Sequence, residues 1–134
     1  MSDSPVRVGV IGFGGMGSVH ADYLGKNEIP GAVLAAICDR DPERLSKARE
    51  KHGDAVKYFE NADALFAAKV IDAVMVATPH YDHPPLCIKA LQSGIHALSE
   101  KPTGVYTKQV RELNEVAAKS DRVFGVMFNQ RTRR

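Results

Sequence analysis

"VGVIGFGGMGSVH", residues 8–20, runs from small β-branched residues through a cluster of glycines into helix-compatible sequence. Within it Gly12, Gly14 and Gly17 spell G-x-G-x-x-G at the passage from a predicted strand into a predicted helix. Each glycine has its own task in that spacing. Gly12 allows a tight turn, Gly14 lets a ligand approach the main chain because no Cβ intervenes, and Gly17 lets the helix pack close to the strand. The helix that opens there presents unpaired N–H groups and the positive end of its dipole to an anion. A diphosphate fits such a turn, and Gly12, Phe13, Gly14, Gly15, Met16 and Gly17 are the first candidate binding residues.

The segments around this turn alternate between strand and helix. Strand one covers about 6–12, "VRVGVIG", and a helix follows over about 15–26, in which Met16, Val19, Tyr23 and Leu24 recur at helical spacing. "AVLAAIC", 32–38, reads as strand two. Asp41 then caps a helix whose first residue is Pro42, since the carboxylate accepts orphan amides and proline needs no partner there. That helix is expected to stop near Gly53, with a short strand around 55–59 and a short helix around 62–68 after it. "DAVMVATP" is a nearly continuous apolar strand ending at Pro79, and a helix of about 84–93 stops at Gly94. "IHALSEKP" supplies strand five, "TKQVRELNEVAAKS" a helix with Val110, Leu113, Val116 and Ala117 on one side, and "RVFGVMFN" strand six. Strands apolar on both faces and joined by helices imply a doubly wound, mainly parallel α/β sheet of six strands, with helices on both faces.

Strand two ends in Asp39, 22 residues past Gly17. A carboxylate at that distance from the glycine turn is placed to accept the ribose hydroxyls of an adenosine. The two features together indicate a dinucleotide. Asp39 repels a 2′-phosphate and so favours NAD, while Arg40 beside it could stack on adenine or pair with that phosphate in NADP.

A length of 134 residues suits one domain with a core of its own. The composition, 44% hydrophobic and 25% charged, is that of an ordinary globular protein. No apolar run approaches the roughly 20 residues of a membrane span, and "MSDSPVR" lacks the order of a secretory signal, so a cytoplasmic location is expected. The net charge of +2 depends on "RTRR"; without its three arginines the balance is 15 basic to 16 acidic residues, which argues against a nucleic-acid surface. Cys38 and Cys87 lie in apolar surroundings without the spacing of a redox pair or a metal site, and are expected to be buried thiols.

In an open parallel sheet, ligands lie beyond the carboxyl ends of the strands. After strand four comes "ATPHYDHPP", strand five ends in "SEKP" and strand six in "MFNQR". With the glycine turn and "DRDPER", these residues resemble the glucose–fructose oxidoreductase, inositol dehydrogenase and MocA family of NAD(P)-dependent sugar and polyol oxidoreductases. The resemblance spans nearly all of the chain, and Glu100-Lys101-Pro102 is its most specific part. It implies a dinucleotide-binding (Rossmann) domain in which Lys101 stands near the nicotinamide and substrate, with a part in binding and proton transfer. It also implies a cis peptide before Pro102 that helps to aim Lys101 and Glu100, and it puts Asn129 and Arg131 near the nicotinamide. His83 matches a family histidine, whereas His80 stands where the family more often has asparagine.

The candidate catalytic residues are therefore Lys101 and His83, and Thr78, Pro79, His80, His83, Glu100, Lys101 and Asn129 join the glycine turn, Asp39 and Arg40 as candidate cofactor-binding residues. Each has a plainer reading beside it: Asp39 as a solvated strand-end acid, Lys101 as a solvated lysine, His83 as a helix opener before Pro84, His96 as a packed or edge histidine, and Arg131, Arg133 and Arg134 as an exposed tail. The resemblance further implies a second, C-terminal domain that holds most of the substrate pocket and an oligomer interface. The chain is accordingly expected to be the coenzyme half of a longer homo-oligomeric enzyme, binding NAD weakly and catalysing little by itself. A non-catalytic NAD-sensing regulatory module shares the glycine turn and the acid but has no need of Glu100-Lys101-Pro102; a methyltransferase is a more distant alternative.

Overall fold

The computed structural model describes residues 4–131. Arg133 and Arg134 lie outside the described residues. Six strands form one sheet: β1 (Val6–Ile11), β2 (Ala32–Cys38), β3 (Lys57–Phe59), β4 (Ala73–Val76), β5 (His96–Glu100) and β6 (Phe124–Met127). Their spatial order is β3-β2-β1-β4-β5-β6, and every pairing is parallel. Order reverses between β1 and β4, and at that switch point the loops after the two strands diverge and open a crevice. The expected doubly wound α/β sheet is thus observed.

The connecting helices are α1 (Gly15–Gly25), α2 (Pro42–His52), α3 (Ala62–Ala67), α4 (His83–Gln92) and α5 (Thr107–Lys119). Two apolar clusters lie on the two faces of the sheet. Val10, Ile37 and Met75 pack with Ala21 and Leu24 of α1 and Ala48 of α2. On the opposite face Val74, Val76 and Ala97 pack with Leu65, Cys87, Ala90, Leu91 and Leu113 from the other three helices. A strand covered on both sides must be apolar at every position, which is why β4 reads as a continuous hydrophobic run rather than an alternation.

Local chemistry sets the boundaries. Asp41 accepts the Glu43 amide at 2.9 Å with Pro42 next to it, an N-cap worth about 1 kcal/mol. Gly53, with φ 75°, closes α2 in a conformation that other residues rarely adopt. β4 ends at Val76 rather than running to Pro79, although the Ala77 amide still reaches Ile11 O at 2.8 Å. Proline has no amide to extend the ladder, and Pro79 instead leads into a 3-10 turn at His80–Asp82.

Of the four residues of α1 that recur at helical spacing, Leu24 alone is buried. Met16, Val19 and Tyr23 are 46%, 41% and 50% exposed, whereas Gly17, Ala21 and Leu24 are buried. The cause is the close approach that Gly17 allows: a Cβ there would stand 1.6 Å from Gly12 O. A helix held so near the strand has room beneath it only for small residues, so the larger apolar side chains turn outward. On α5, Leu113 is buried and Val116 and Ala117 pack beside it, as the spacing indicates.

Candidate functional site

At the end of β1 the chain turns through Gly12, whose φ is 92°; a Cβ there would meet Ala77 O at 2.7 Å. Gly14 caps α1 without any side-chain hydrogen bond, and the first turn of α1 carries no acidic residue. Space above the turn is open. A Cβ built on Gly15 meets nothing within 4 Å, and one on Gly14 meets only Arg44 Nη1 at 3.8 Å. Unsatisfied amides at a helix start, a positive dipole end and room for a ligand to reach the backbone together suit a diphosphate.

Asp39 ends β2 and is buried. Its Oδ2 accepts the Phe13 amide at 2.7 Å and its Oδ1 the Asp41 amide at 2.9 Å. The carboxylate thereby ties the glycine turn to the start of α2, and each oxygen keeps acceptor capacity for a ribose hydroxyl. A cleft of about 670 Å³ extends from here, lined by Gly12, Gly14, Asp39, Arg40, Thr78 and Pro79 together with Arg44 and Asp82. Thr78 Oγ1, in this lining, is buried and has no hydrogen-bond partner among the described residues. A hydroxyl left in that state needs a water or a ligand group to complete it.

Arg40 is 81% exposed and its Nη2 lies 3.5 Å from Asp82 Oδ2, across the mouth of the cleft. Arg44, absent from the sequence-based candidates, is the guanidinium beside the Asp39 carboxylate: 3.7 Å from Asp39 Oδ2 and 3.6 Å from Asp41 Oδ2. The helix start signalled by Asp41-Pro42 puts Arg44 in the first turn of α2, a clue that was available. Phe13 contributes its amide, while its ring packs edge-on against His52 at 6.0 Å. Gly15 and Met16 are exposed at the start of α1. Cys38 lies in the cleft wall, and burial, seconded by the Asp39 charge, pushes its thiol up to about 12; burial likewise takes Cys87 to about 12. Both remain protonated thiols at neutral pH.

The remaining candidates lie beyond the cleft, at the ends of β4, β5 and β6. His80 is exposed, its ring 5.8 Å from that of His83. His83 is fully buried, with Nδ1 2.7 Å from Pro102 O and Nε2 2.8 Å from Thr78 O, so both ring nitrogens face main-chain carbonyls. Glu100 is buried at the end of β5, Lys101 is exposed, and the peptide joining Lys101 to Pro102 is cis. Glu100 Oε1 stands 2.6 Å from Nε2 of His20, which the sequence reading passed over, and Glu100 Oε2 accepts the Lys101 amide at 3.2 Å. Asn129 and Arg131 are exposed in a 3-10 turn after β6, where the Arg131 guanidinium stacks over Phe128 at 5.0 Å. His96, the first residue of β5, accepts the Val123 amide at 2.9 Å and joins the start of that strand to the loop before β6. Among the described residues no helix is long and apolar enough to cross a membrane.

Inositol 2-dehydrogenase of Corynebacterium glutamicum is 35% identical over 117 residues, 87% of this chain and 34% of that enzyme. D-glucoside 3-dehydrogenase of Escherichia coli is 35% identical over 139 residues, covering 98% of this chain and 37% of that enzyme. Scyllo-inositol dehydrogenase of Lactobacillus casei, solved with NAD(H) and scyllo-inositol bound, superposes with a TM-score of 0.91 at 28% identity over 97% of this chain and 38% of that one. The chain spans about a third of the length of these relatives. Residues 6–128 match the model of an oxidoreductase family with an NAD-binding Rossmann fold, and the chain therefore belongs to the glucose–fructose oxidoreductase, inositol dehydrogenase and MocA family, as its NAD-binding domain.

Proposed function

We propose that the chain is the coenzyme-binding unit of a dehydrogenase that oxidises a hydroxyl-bearing carbon of a sugar, a polyol or a related alcohol. The observation that carries the proposal is one juxtaposition. The diphosphate turn, the ribose carboxylate Asp39 and the Glu100-Lys101-Pro102 segment all stand at the carboxyl ends of strands of one parallel sheet, after β1, β2 and β5. NAD, when bound, supplies the hydride-accepting ring.

The residues supply the rest. The amides from Gly14 to Met16 bind the diphosphate, and Asp39 binds the adenosine ribose. Lys101 takes the hydroxyl proton as the carbonyl forms, in the role of a positioned acid/base group. Its exposure in this unit is consistent with a substrate wall supplied by a further part of the protein. His83, expected from the sequence to be catalytic, has no solvent-facing surface and both nitrogens engaged with carbonyls. Its role in this scheme is to join the loop after β4 to the loop after β5. Asn129 and His80 flank the nicotinamide end. Asp39 opposes the charge of a 2′-phosphate, so NADP is accepted less readily than NAD, and Arg44 rather than Arg40 is the cation that meets that phosphate when NADP does bind.

The test is turnover with NAD⁺ and a panel of polyols and aldoses by the complete gene product, wild type and Lys101→Ala. Loss of at least ~100-fold in kcat with NAD⁺ affinity retained supports the role of Lys101. Undiminished turnover in Lys101→Ala refutes it.

A further inference from the structure

His20 lies on α1, one turn beyond Gly17, on the side that faces the sheet. Its partner Glu100 is 80 residues away, at the end of β5. In the sheet, β4 stands between β1, from which α1 departs, and β5. The contact therefore spans a whole strand and ties the helix of the diphosphate turn to the segment that carries Lys101. The His20 and Glu100 side chains are 15% and 9% exposed. A carboxylate so enclosed needs a donor, because an unpartnered charge in the interior is strongly destabilising. His20 Nε2 supplies that donor at 2.6 Å, and the other oxygen accepts the Lys101 amide at 3.2 Å. Beyond Lys101, Pro102 O faces His83 Nδ1 at 2.7 Å. The lysine main chain is thus held on one side from α1 and on the other from α4.

We propose that His20 is a positioning residue for Lys101: through Glu100 it fixes the main chain on which the lysine stands relative to the helix that begins at the diphosphate turn. The inference rests on the reading of Lys101 as the acid/base group. Among the described residues His20 does not line the adenosine cleft and makes no hydrogen bond to Lys101 Nζ, so its contribution passes through the carboxylate. Hydrogen-bond geometry, rather than bulk, carries this role. Glutamine at position 20 keeps an N–H that reaches toward Glu100, whereas leucine keeps volume without a donor.

Two measurements test it. On this chain, amide hydrogen exchange read by NMR is expected to quicken at least tenfold at Lys101 in His20→Leu relative to the strand amides of Val74 and Val76, and to return toward the wild-type rate in His20→Gln. In the complete gene product, His20→Leu is expected to lower kcat at least tenfold with KM for NAD⁺ within about twofold, and His20→Gln to recover most of the loss. If His20→Leu alone does not fold, His20→Leu with Glu100→Gln removes the uncompensated charge along with the brace, and the same fall in kcat is expected. The proposal is overturned if Lys101 exchange is unchanged in His20→Leu, if kcat is unaffected by loss of the brace, or if glutamine serves no better than leucine. Lys101→Ala measured in parallel separates the two ideas: full turnover in that variant defeats the reading of the lysine, whereas the exchange rate reports on the brace alone.

Discussion

Replacing Gly14 and Gly17 with alanine is expected to separate binding from stability. At Gly17 an added Cβ would stand 1.6 Å from Gly12 O, where ordinary contact begins at 3.4 Å, a deficit of 1.8 Å. The obstacle is backbone, so the helix or the turn has to move. Overpacking costs about 1–3 kcal/mol, and a rigid obstacle puts this site at the upper end, about 3 kcal/mol. For a domain of this size that is a fall in Tm of roughly 10 °C. Gly14 has φ −86° and ψ −155°, and its added Cβ meets only Arg44 Nη1 at 3.8 Å. Alanine is compatible with that geometry, and stability is expected to change by less than about 1 kcal/mol. The methyl group does, however, stand where a diphosphate must approach the amides. Losing one hydrogen bond to a charged ligand costs about 1.5–3 kcal/mol, or roughly tenfold to a hundredfold in Kd. Calorimetric titration with NAD⁺ and a thermal melt of each variant measure the two effects. The reasoning is refuted if Gly14→Ala binds NAD⁺ like the wild type, or if Gly17→Ala melts at the wild-type temperature.

Arg44→Ala is expected to weaken NADP⁺ at least tenfold and NAD⁺ by less than threefold, while Arg40→Ala alters neither by more than threefold; titration with both dinucleotides decides. Burial pushes His52 below its usual value of 6.5, with Asp22 opposing the shift. The folded state then disfavours a proton that the unfolded chain accepts, so this contribution to stability is full above about pH 6.5 and is lost as pH falls below it. Urea midpoints across that range are expected to decline less steeply in His52→Leu. Leu113 is fully buried, and Leu113→Ala is expected to cost about 2–5 kcal/mol by denaturant titration without selective loss of NAD⁺ affinity. Cys38 and Cys87, at about 12, are expected to resist a thiol-specific disulfide reagent at pH 8 in the folded protein and to react at once when it is unfolded in urea.

Most of the architecture was legible because it is written locally. β2 occupies the residues that its apolar run indicates, and α2 begins where Asp41 and Pro42 place it. The glycine turn and Asp39 are also local signals, each confined to one strand end. What the sequence concealed depends on distance or on close packing. The buried side of α1 is not evident from apolar size, because the proximity that Gly17 permits selects small residues such as Ala21 there while Met16, Val19 and Tyr23 turn outward. The stripe of Gly17, His20, Ala21 and Leu24 has the same helical spacing as the exposed one and would have drawn attention to His20. Its pairing with Glu100 joins residues on elements that are not neighbours in sequence, so no local pattern announces it. Similarly, nothing in "HYDHPP" announces that both ring nitrogens of His83 stand against main-chain carbonyls, one of them 19 residues away in the loop after β5.

The central claim is that a dinucleotide lies across the switch point with its diphosphate on the turn after β1 and its adenosine ribose on Asp39. Titration of ¹⁵N-labelled protein with NAD⁺ tests it most directly. The account expects saturable shifts concentrated at the amides of Phe13, Gly14, Gly15, Met16 and Asp41, fitting one binding constant. Saturation with those amides unmoved, or with the shifts gathered at the opposite end of the sheet, would contradict it.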